Sequence, residues 1–455
     1  MLFSGRGLFK LGLPIFLQSI FSVTIAMVDS VMVGEIGETA VSGVSLIGAV
    51  DNMLTTFFLA LTIGGTVVMS QYLGANKDAR ASEASKQLIY LATGLATLMS
   101  LIGLFLRGPM LRLFFGEVEA AVMENAQSYF FFMALSYPFM ALSESCSAAL
   151  RAMGDSASTL AVSIVSNLIN VGGNALTIYG LHWGVAGAGA SSLFARVMAA
   201  VIMLCVLLKK HGRIRPQRLL RYRPDKQIVV DILRIGGSHA IGNSMFHIGR
   251  LLTQSMVSTL GTVAITANSV ALNIASYQYM ISNTIGSVAM IAVGRCVGAG
   301  EKKQAKSCAW RLLAAAYVGM WIVVTISIVF AEPIIGMWQV EGDTMALAKE
   351  LIVFHSISTA IIYPMAFVLP GIFRAASDVK LQMWITIIGM WIFRVLLAYL
   401  LLTWDIPLFG VPAGIMSVWM AMVIDWVFRA AVFLPRYLSG RWLTVYDKLQ
   451  KKVEA

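Results

Sequence analysis

Asp29 is the residue whose setting most clearly demands a chemical explanation, because its carboxyl group stands in an apolar stretch. The stretch reads Ala26-Met-Val-Asp-Ser-Val-Met-Val-Gly34, with no basic residue within helical reach. An ionised carboxyl in hydrocarbon costs at least about 2.5 kcal/mol, and desolvation favours its neutral form. A group that changes between these forms can couple cation binding to a change of shape. We therefore predict a coupling role for Asp29, with a structural pair to an arginine of another helix as the alternative.

Asn170 and Asn174 are a second polar feature of an apolar segment. They are four residues apart and therefore share one face of a helix. An amide carries both donors and acceptors, so the pair can hydrogen-bond a protonated carboxyl or supply carbonyl oxygens to Na⁺. The alternative is ordinary hydrogen bonding between helices, which asparagine often provides in membranes. The sequence alone leaves both interpretations open.

Six further polar side chains fall within apolar segments, and we predict that they line a substrate cavity. They are Gln18, Asp51, Glu144, His247, Arg250 and Arg394. Asp51 lies near the start of its segment, so a place near the outer headgroups is the alternative. Asp425 and Arg429 are four residues apart and can pair along one helix face. Arg250 has no such local partner.

The apolar segments that carry these residues are long enough to cross a membrane. Of the 455 residues, 58% are hydrophobic and only 13% are charged, and the mean hydropathy is +0.78. This composition excludes a soluble globular protein. A bilayer core needs about 20 apolar residues per helix. Twelve segments meet this requirement, approximately 9–33, 43–72, 87–106, 122–147, 158–179, 185–208, 229–257, 265–294, 308–331, 345–373, 381–403 and 411–434.

The two halves of the chain repeat one another. A shift of about 224 positions brings Gly12 to Gly236 and Arg151-Ala-Met-Gly-Asp155 to Arg374-Ala-Ala-Ser-Asp378. We predict an all-α polytopic membrane protein with twelve transmembrane helices in two six-helix lobes, related by a pseudo-two-fold axis along the membrane normal. The predicted parts are an N-lobe (1–208), a basic linker (209–226), a C-lobe (227–435) and a tail (436–455). Basic residues concentrate in the linker and in alternate loops, which predicts cytoplasmic termini.

Several functional classes are disfavoured. The net charge of +11 comes largely from short loops, and the linker alone contains Lys209, Lys210, Arg213, Arg215, Arg218, Arg221, Arg223 and Lys226. No aromatic residues alternate with these charges, so membrane topology explains them better than nucleic-acid binding. The four cysteines form no CxxC pair. The sequence also contains no HExxH motif, so an enzyme is disfavoured. We expect a monomer without a resident cofactor, whose partners are the lipid bilayer and a small organic substrate.

Several of these features together resemble the multidrug and toxic compound extrusion (MATE) family. They are Pro14, Val28-Asp29-Ser30 and Gly34 in the first segment, Ser70-Gln-Tyr-Leu-Gly-Ala75 before a basic loop, the repeated Arg-x-x-x-Asp, and Asn170-x-x-x-Asn174 before Tyr179-Gly180. The resemblance covers nearly the whole chain. The segment Asp425-Trp-Val-Phe-Arg429 resembles that of a branch of the family common among bacterial members.

The resemblance implies a secondary antiporter of the bacterial cytoplasmic membrane. Such a protein exports organic, often cationic and aromatic, compounds in exchange for H⁺ or Na⁺. Asp29, Asn170 and Asn174 would form the site for the coupling ion, whether proton or Na⁺. In some members an aspartate stands at the position of Asn174, so this chain has one charge fewer there. Pro14 would act as a hinge in the first helix, because proline lacks the N–H that would stiffen it.

A different cargo stays open within the same superfamily. Arg250, Arg394 and Arg429 would suit a lipid-linked oligosaccharide flippase or an exporter of anionic metabolites. The repeat is also asymmetric in its chemistry, since the shift places Asp29 on Thr253. We therefore expect the coupling acid in the N-lobe alone.

Overall fold

The computed structural model describes residues 4–116, 118–209, 212–216, 223–407 and 414–454, with side chains up to residue 449. Within these ranges the chain consists of helices joined by short connections, and no β-strand occurs in them. Lys210, Arg218 and Arg221 of the predicted linker lie outside the described residues.

The first half of the chain contains six long helices. They are α1 (Gly5–Gly34), α2 (Glu38–Gly74), α3 (Asp78–Phe115), α4 (Ala120–Met153), α5 (Ser156–Asn174) and α6 (Gly184–Lys209). After Asn174 the helix α5 continues in a wider π-helical segment, Ala175–Gly180. Together these elements cover the first six predicted spans.

The second half contains longer and more interrupted elements. Its first four helices are α7 (Lys226–Ser258), α8 (Thr262–Gly298), α9 (Lys302–Val329) and the short α10 (Ala331–Gly336). The tenth predicted span is divided into α11 (Gly342–Phe367) and α12 (Leu369–Ala375). The eleventh consists of α13 (Val379–Ile388), a π-helical segment (Gly389–Leu396) and α14 (Leu397–Thr403). The described chain ends with α15 (Ile415–Leu438) and α16 (Leu443–Glu454).

The prediction of a polytopic membrane protein is confirmed. Within the described ranges, ten helical spans are long and apolar enough to cross a membrane. The other two predicted spans correspond to α4 and α7, which are 34 and 33 residues long. Both exceed the roughly 20 residues that a bilayer core requires, although they carry more polar side chains. The all-α architecture of two six-helix lobes is therefore confirmed.

The described chain packs as two compact units, which lie within residues 4–237 and 238–454. In the first unit α4 packs against α2, α3 and α6, while α1 packs mainly on α5. In the second unit the apolar core lies among α8, α9, α11 and α15. Trp419 and Trp426 of α15 belong to this core and are 2% and 1% exposed. Each unit therefore has its own buried interior.

The two units divide inside α7, whereas the sequence analysis placed the boundary in the linker. The first turns of α7 pack closely on α2 because glycines stand at the contact. A Cβ on Gly64 would overlap the carbonyl oxygen of Ile232, and one on Gly236 would lie 2.6 Å from that of Ala60. The start of α7 thus belongs to the first unit.

The described part of the basic linker is tied to α3 in the same unit. Arg213 donates three hydrogen bonds to the carboxylate of Asp78, at 2.6 to 3.1 Å. Nε2 of Gln87 donates to the backbone carbonyl oxygen of Arg223 at 2.6 Å. These contacts hold the described linker residues against the first unit.

We expect Gly64→Ala to destabilise the protein by about 1–3 kcal/mol, because the added methyl group overpacks the contact with Ile232. Thermal unfolding in detergent measures the loss. Gly48→Ala is the matched control, since it lies in the same helix and a Cβ there meets no atom within 4 Å. Equal stability of the two variants would show that α2 and α7 do not approach this closely.

Candidate functional site

Asp29 lies near the C-terminal end of α1, beside the end of α5. Its side chain is partly buried, and Oδ1 accepts a hydrogen bond from Nδ2 of Asn174 at 2.9 Å. No lysine or arginine of the described ranges forms an ion pair with it. The described structure therefore does not contain the arginine pair that was the alternative to a coupling role.

Asn170 completes the polar group around this carboxylate. In the amide orientation that satisfies its neighbours, Nδ2 donates to both oxygens of Asp29, at 2.8 and 2.9 Å, and Oδ1 accepts from Ser192 at 3.2 Å. Oδ1 of Asn174 accepts from Oγ of Ser191 at 2.6 Å. Asn170 and Asn174 are only 8% and 2% exposed. The two serines of α6 therefore orient both amides from behind.

A glycine and a change of helical pitch bring these elements together. A Cβ on Gly173 would lie 3.0 Å from the side chain of Ser191, so glycine permits the close approach of α5 and α6. The π-helical segment begins directly after Asn174, and such segments are frequent at functional sites. A buried apolar cluster that includes Met32 and Ile178 holds the end of α1 beside this segment.

The group can bind a monovalent cation in either of two ways. A proton would bind an oxygen of the Asp29 carboxylate directly and needs no further ligand. Na⁺ would require oxygen ligands, so Asn170 and Asn174 would have to turn their Oδ1 atoms from the serines toward the ion. The observed hydrogen bonds are those of an ionised carboxylate surrounded by donors, and they occupy three of its roughly four acceptor sites. A proton can take the remaining site on Oδ2 without a turn of either amide.

Ser191 and Ser192 were not predicted from the sequence. The available signal was two adjacent hydroxyl residues in the apolar α6. Small residues are common wherever membrane helices pack closely, so the signal is weak without the fold.

Asp51 forms an ion pair with Arg196, a residue that the sequence analysis did not consider. Nη1 and Nη2 of Arg196 donate to the two carboxylate oxygens at 3.2 and 3.0 Å, and Nη1 also donates to Ser136 at 2.9 Å. The two side chains retain 20% and 23% of their exposure. The structure therefore places Asp51 in a link between α2 and α6, and not among the residues of the cavities described next.

Gln18 and Glu144 lie together at a cavity of about 140 Å³ in the first unit. Glu144 is paired with Arg151 at 3.4 Å. Oε1 of Gln18 and Nδ2 of Asn167 are buried there without a hydrogen-bond partner. The cavity thus offers neutral amide groups, and its acid already has a counter-charge.

Arg250 and Arg394 line a larger cavity, of about 290 Å³, in the second unit. Arg374 and Arg429 belong to the same wall. Arg394 is 7% exposed, and its guanidinium carbon lies 5.6 Å from the ring centroid of Phe246. The aromatic part of the wall comprises Phe246, Tyr279, Tyr363, Phe367 and Trp426.

The two remaining predicted residues, His247 and Pro14, are not among the residues that line these two cavities. Phe246 and Arg250 are one helical turn apart and line the larger cavity, so His247 projects about 100° away from the first of them and is exposed. Pro14 lies inside α1, which continues unbroken from Gly5 to Gly34. Its role as a hinge stays a prediction.

Comparison with known proteins supplies an independent observation. The MatE family model matches residues 14–176 and 239–400 of this chain. The chain is 24% identical over 450 residues to the uncharacterized transporter YisQ of Bacillus subtilis, covering 96% of this chain and 94% of that protein. It is also 24% identical over 450 residues to the probable multidrug resistance protein NorM of Thermotoga maritima, covering 96% and 93%.

Solved structures share the fold over almost the full length. A crystal structure of MATE in the bent conformation superposes with a TM-score of 0.87 at 18% identity, covering 98% of this chain and 96% of that one. A MOP superfamily transporter from Pyrococcus furiosus, in which reverse polarity of the binding pocket suggests a different function, gives a TM-score of 0.84 at 16% identity, covering 97% and 96%.

We expect Asp51→Asn to lower the free energy of unfolding by about 1–3 kcal/mol, because it leaves the guanidinium of Arg196 without its counter-charge. Chemical or thermal unfolding in detergent measures the change. Asp78→Asn is the control, since its pair with Arg213 is exposed and such pairs contribute about 0–1 kcal/mol. A loss no larger than that of the control would refute a structural role for Asp51.

Proposed function

This chain belongs to the MatE family, and we propose that it is a secondary active antiporter that exports organic compounds in exchange for H⁺ or Na⁺ by alternating access. The observation that carries the proposal is Asp29, a carboxylate held by two neutral amides inside an apolar helical unit. Kinship with the probable multidrug resistance protein NorM supports organic compounds as the cargo.

The charge of Asp29 would control how firmly α1 is bound to α5. An ionised carboxylate accepts stronger hydrogen bonds than a neutral carboxyl group, so the charged form ties α1 to Asn170 and Asn174. Cation binding weakens that tie and lets α1 shift, with Pro14 as its hinge. Coupling further requires that the cation and the cargo bind the alternating conformations with different affinities.

The proposed setting is the bacterial cytoplasmic membrane, with both termini in the cytoplasm and the protein acting as a monomer. Basic loops support this orientation, since lysine and arginine are retained on the cytoplasmic side. The expected cargo of such a transporter is a small aromatic cation.

A second candidate cargo is an organic anion. Four arginines and one acid, Asp425, stand in and behind the wall of the larger cavity, which favours negative charge. The transporter from Pyrococcus furiosus, in which reverse polarity of the binding pocket suggests a different function, has the same fold. A lipid-linked oligosaccharide flippase would use the same arginines for pyrophosphate.

Replacing Asp29 with asparagine should reduce gradient-driven efflux at least tenfold, because the amide cannot change its charge. Efflux of ethidium from proteoliposomes is the measurement. Glu35→Gln is the matched control, since Glu35 is an exposed acid at the end of the same helix and should leave efflux unchanged. Wild-type rates in the Asp29→Asn protein would remove Asp29 from the coupling step.

Separate pH and Na⁺ gradients identify the coupling ion. We expect the pH gradient alone to drive counterflow of the dye, because a proton binds Asp29 without new oxygen ligands, whereas both amides present hydrogens and not oxygens to the site. Transport driven by Na⁺ alone would instead require the amides to turn, and would reject the proton assignment. Asp29→Asn should abolish the response to whichever gradient is effective.

A further inference from the structure

The larger cavity of the second unit carries more positive charge than its neighbouring acid can balance. Asp425 is fully engaged by Arg429, with Oδ1 at 2.6 Å from Nε and Oδ2 at 3.0 Å from Nη2. In the part of the chain that the structure describes, Arg250, Arg374 and Arg394 form no ion pair. Three guanidinium groups therefore line one cavity without a carboxylate bound to them.

Three buried N–H donors in the same wall lack an acceptor. Nε of Arg374, Nε of Arg394 and Nε1 of Trp426 have no hydrogen-bond partner, and these side chains are 9%, 7% and 1% exposed. Buried polar groups are nearly always hydrogen-bonded. Two of the three groups are cationic, so no acceptor within the described residues offsets the positive charge at these atoms.

The repeat shows that this charge is specific to the second unit. In the first unit Arg151 pairs with Glu144. A shift of 223 positions places these residues on Arg374 and Phe367, so the second unit keeps the arginine and replaces its acid with an aromatic ring. The first unit neutralises this arginine, and the second leaves its charge available to a ligand.

The group around Asp29 has a basic counterpart in the second unit. A shift of 224 positions, one more than the shift that aligns Arg151 with Arg374, places Asp29 on Thr253 and Asn170 on Arg394. Thr253, Arg394 and Arg250 line one small pocket of the second unit. The carboxylate of Asp29 and the amide of Asn170 in the first lobe thus correspond to a hydroxyl and a guanidinium group in the second.

Stacked rings form the apolar part of the wall. The ring centroids of Tyr279 and Tyr363 are 4.7 Å apart, and those of Tyr363 and Phe367 are 4.2 Å apart. The ring of Trp426 meets that of Tyr363 edge-on, at 5.1 Å. Aromatic ligands pack well on such surfaces. The cavity volume of about 290 Å³ is at the small end of ligand sites and fits a compound of one or two rings.

We propose that this cavity binds small aromatic carboxylates, with Arg374 and Arg394 as the anion-binding residues. A guanidinium group can meet a carboxylate with two parallel hydrogen bonds, while the stacked rings receive the aromatic part. The inference deepens the proposed transport function and rests on it, because it names organic anions as substrates. The binding step itself requires no gradient and can be measured alone.

Calorimetric titration of the detergent-solubilised protein with 2-naphthoate tests the inference, with neutral 2-naphthamide as the reference ligand. The acid should bind at least tenfold more tightly than the amide. Arg374→Gln and Arg394→Gln should each weaken binding of the acid at least tenfold. Arg441→Gln is the control, because Arg441 is exposed in the same unit and does not line the cavity.

Phe367→Glu is a more stringent test, because it gives Arg374 an acidic partner like the one that Arg151 has in the first unit. This change should abolish the preference for the acid over the amide, whereas Phe367→Leu should retain it. If these variants do not fold, thermal unfolding of the wild-type protein tests the inference. 2-Naphthoate should raise its unfolding temperature, and 2-naphthamide should not.

Equal binding of acid and amide, or no binding of the acid by the wild-type protein, overturns the inference. Neither outcome affects the role of Asp29, which is tested by dye efflux. Conversely, the Asp29→Asn protein should bind 2-naphthoate as the wild type does, so a failure of coupling and a failure of anion binding are distinguishable. Loss of 2-naphthoate binding in Asp29→Asn would count against a separate site in the second unit.

Discussion

A carboxylate inside an apolar helix bundle must find hydrogen-bond donors, and the identity of those donors decides what the carboxylate can do. Asp29 has neutral donors, the amides of Asn170 and Asn174. Such partners stabilise the charge without cancelling it, so a cation can still compete for the site. An arginine at the same distance would have made the ionised form permanent.

The surrounding structure serves this one requirement. Ser191 and Ser192 hold the amide oxygens and so leave the amide hydrogens for the carboxylate. Gly173 lets α6 approach closely enough to place the serines there. The apolar cluster at the end of α1 fixes the position of Asp29 relative to α5. Each of these contacts therefore positions Asp29 or one of the two asparagines indirectly, through a neighbouring residue.

The other charged side chains discussed above divide into those that are paired within the protein and those that remain available. Asp51 with Arg196, Glu144 with Arg151, and Asp425 with Arg429 are satisfied within the protein. These pairs join helices or lie along one helix, and a ligand would have to break them. Asp29, Arg374 and Arg394 have no such pair within the described ranges, so their charge remains available to an ion or a ligand.

The sequence predicted what depends on local pattern. Hydropathy located the twelve spans, and the isolation of Asp29 in an apolar stretch marked it as unusual. The partner of Asp51 could not be predicted, because Arg196 lies 145 positions away and only the fold brings them together. The division inside α7 depends on the contact of Gly64 with Ile232, which is equally non-local. The sequence also held the signal against His247 as a cavity residue, because helical period turns it about 100° away from Phe246.

The opposite charges of the two sites have an energetic consequence for exchange. If one proton enters for each monovalent organic cation that leaves, no net charge crosses the membrane, and only the pH gradient drives export. If an organic anion leaves instead, two positive charges in effect move inward with each cycle. A potential of 100 mV, negative inside, then contributes about 4.6 kcal/mol, at roughly 2.3 kcal/mol per charge. An anion site in one lobe and a proton site in the other would therefore let the membrane potential drive a transporter that has a single coupling acid.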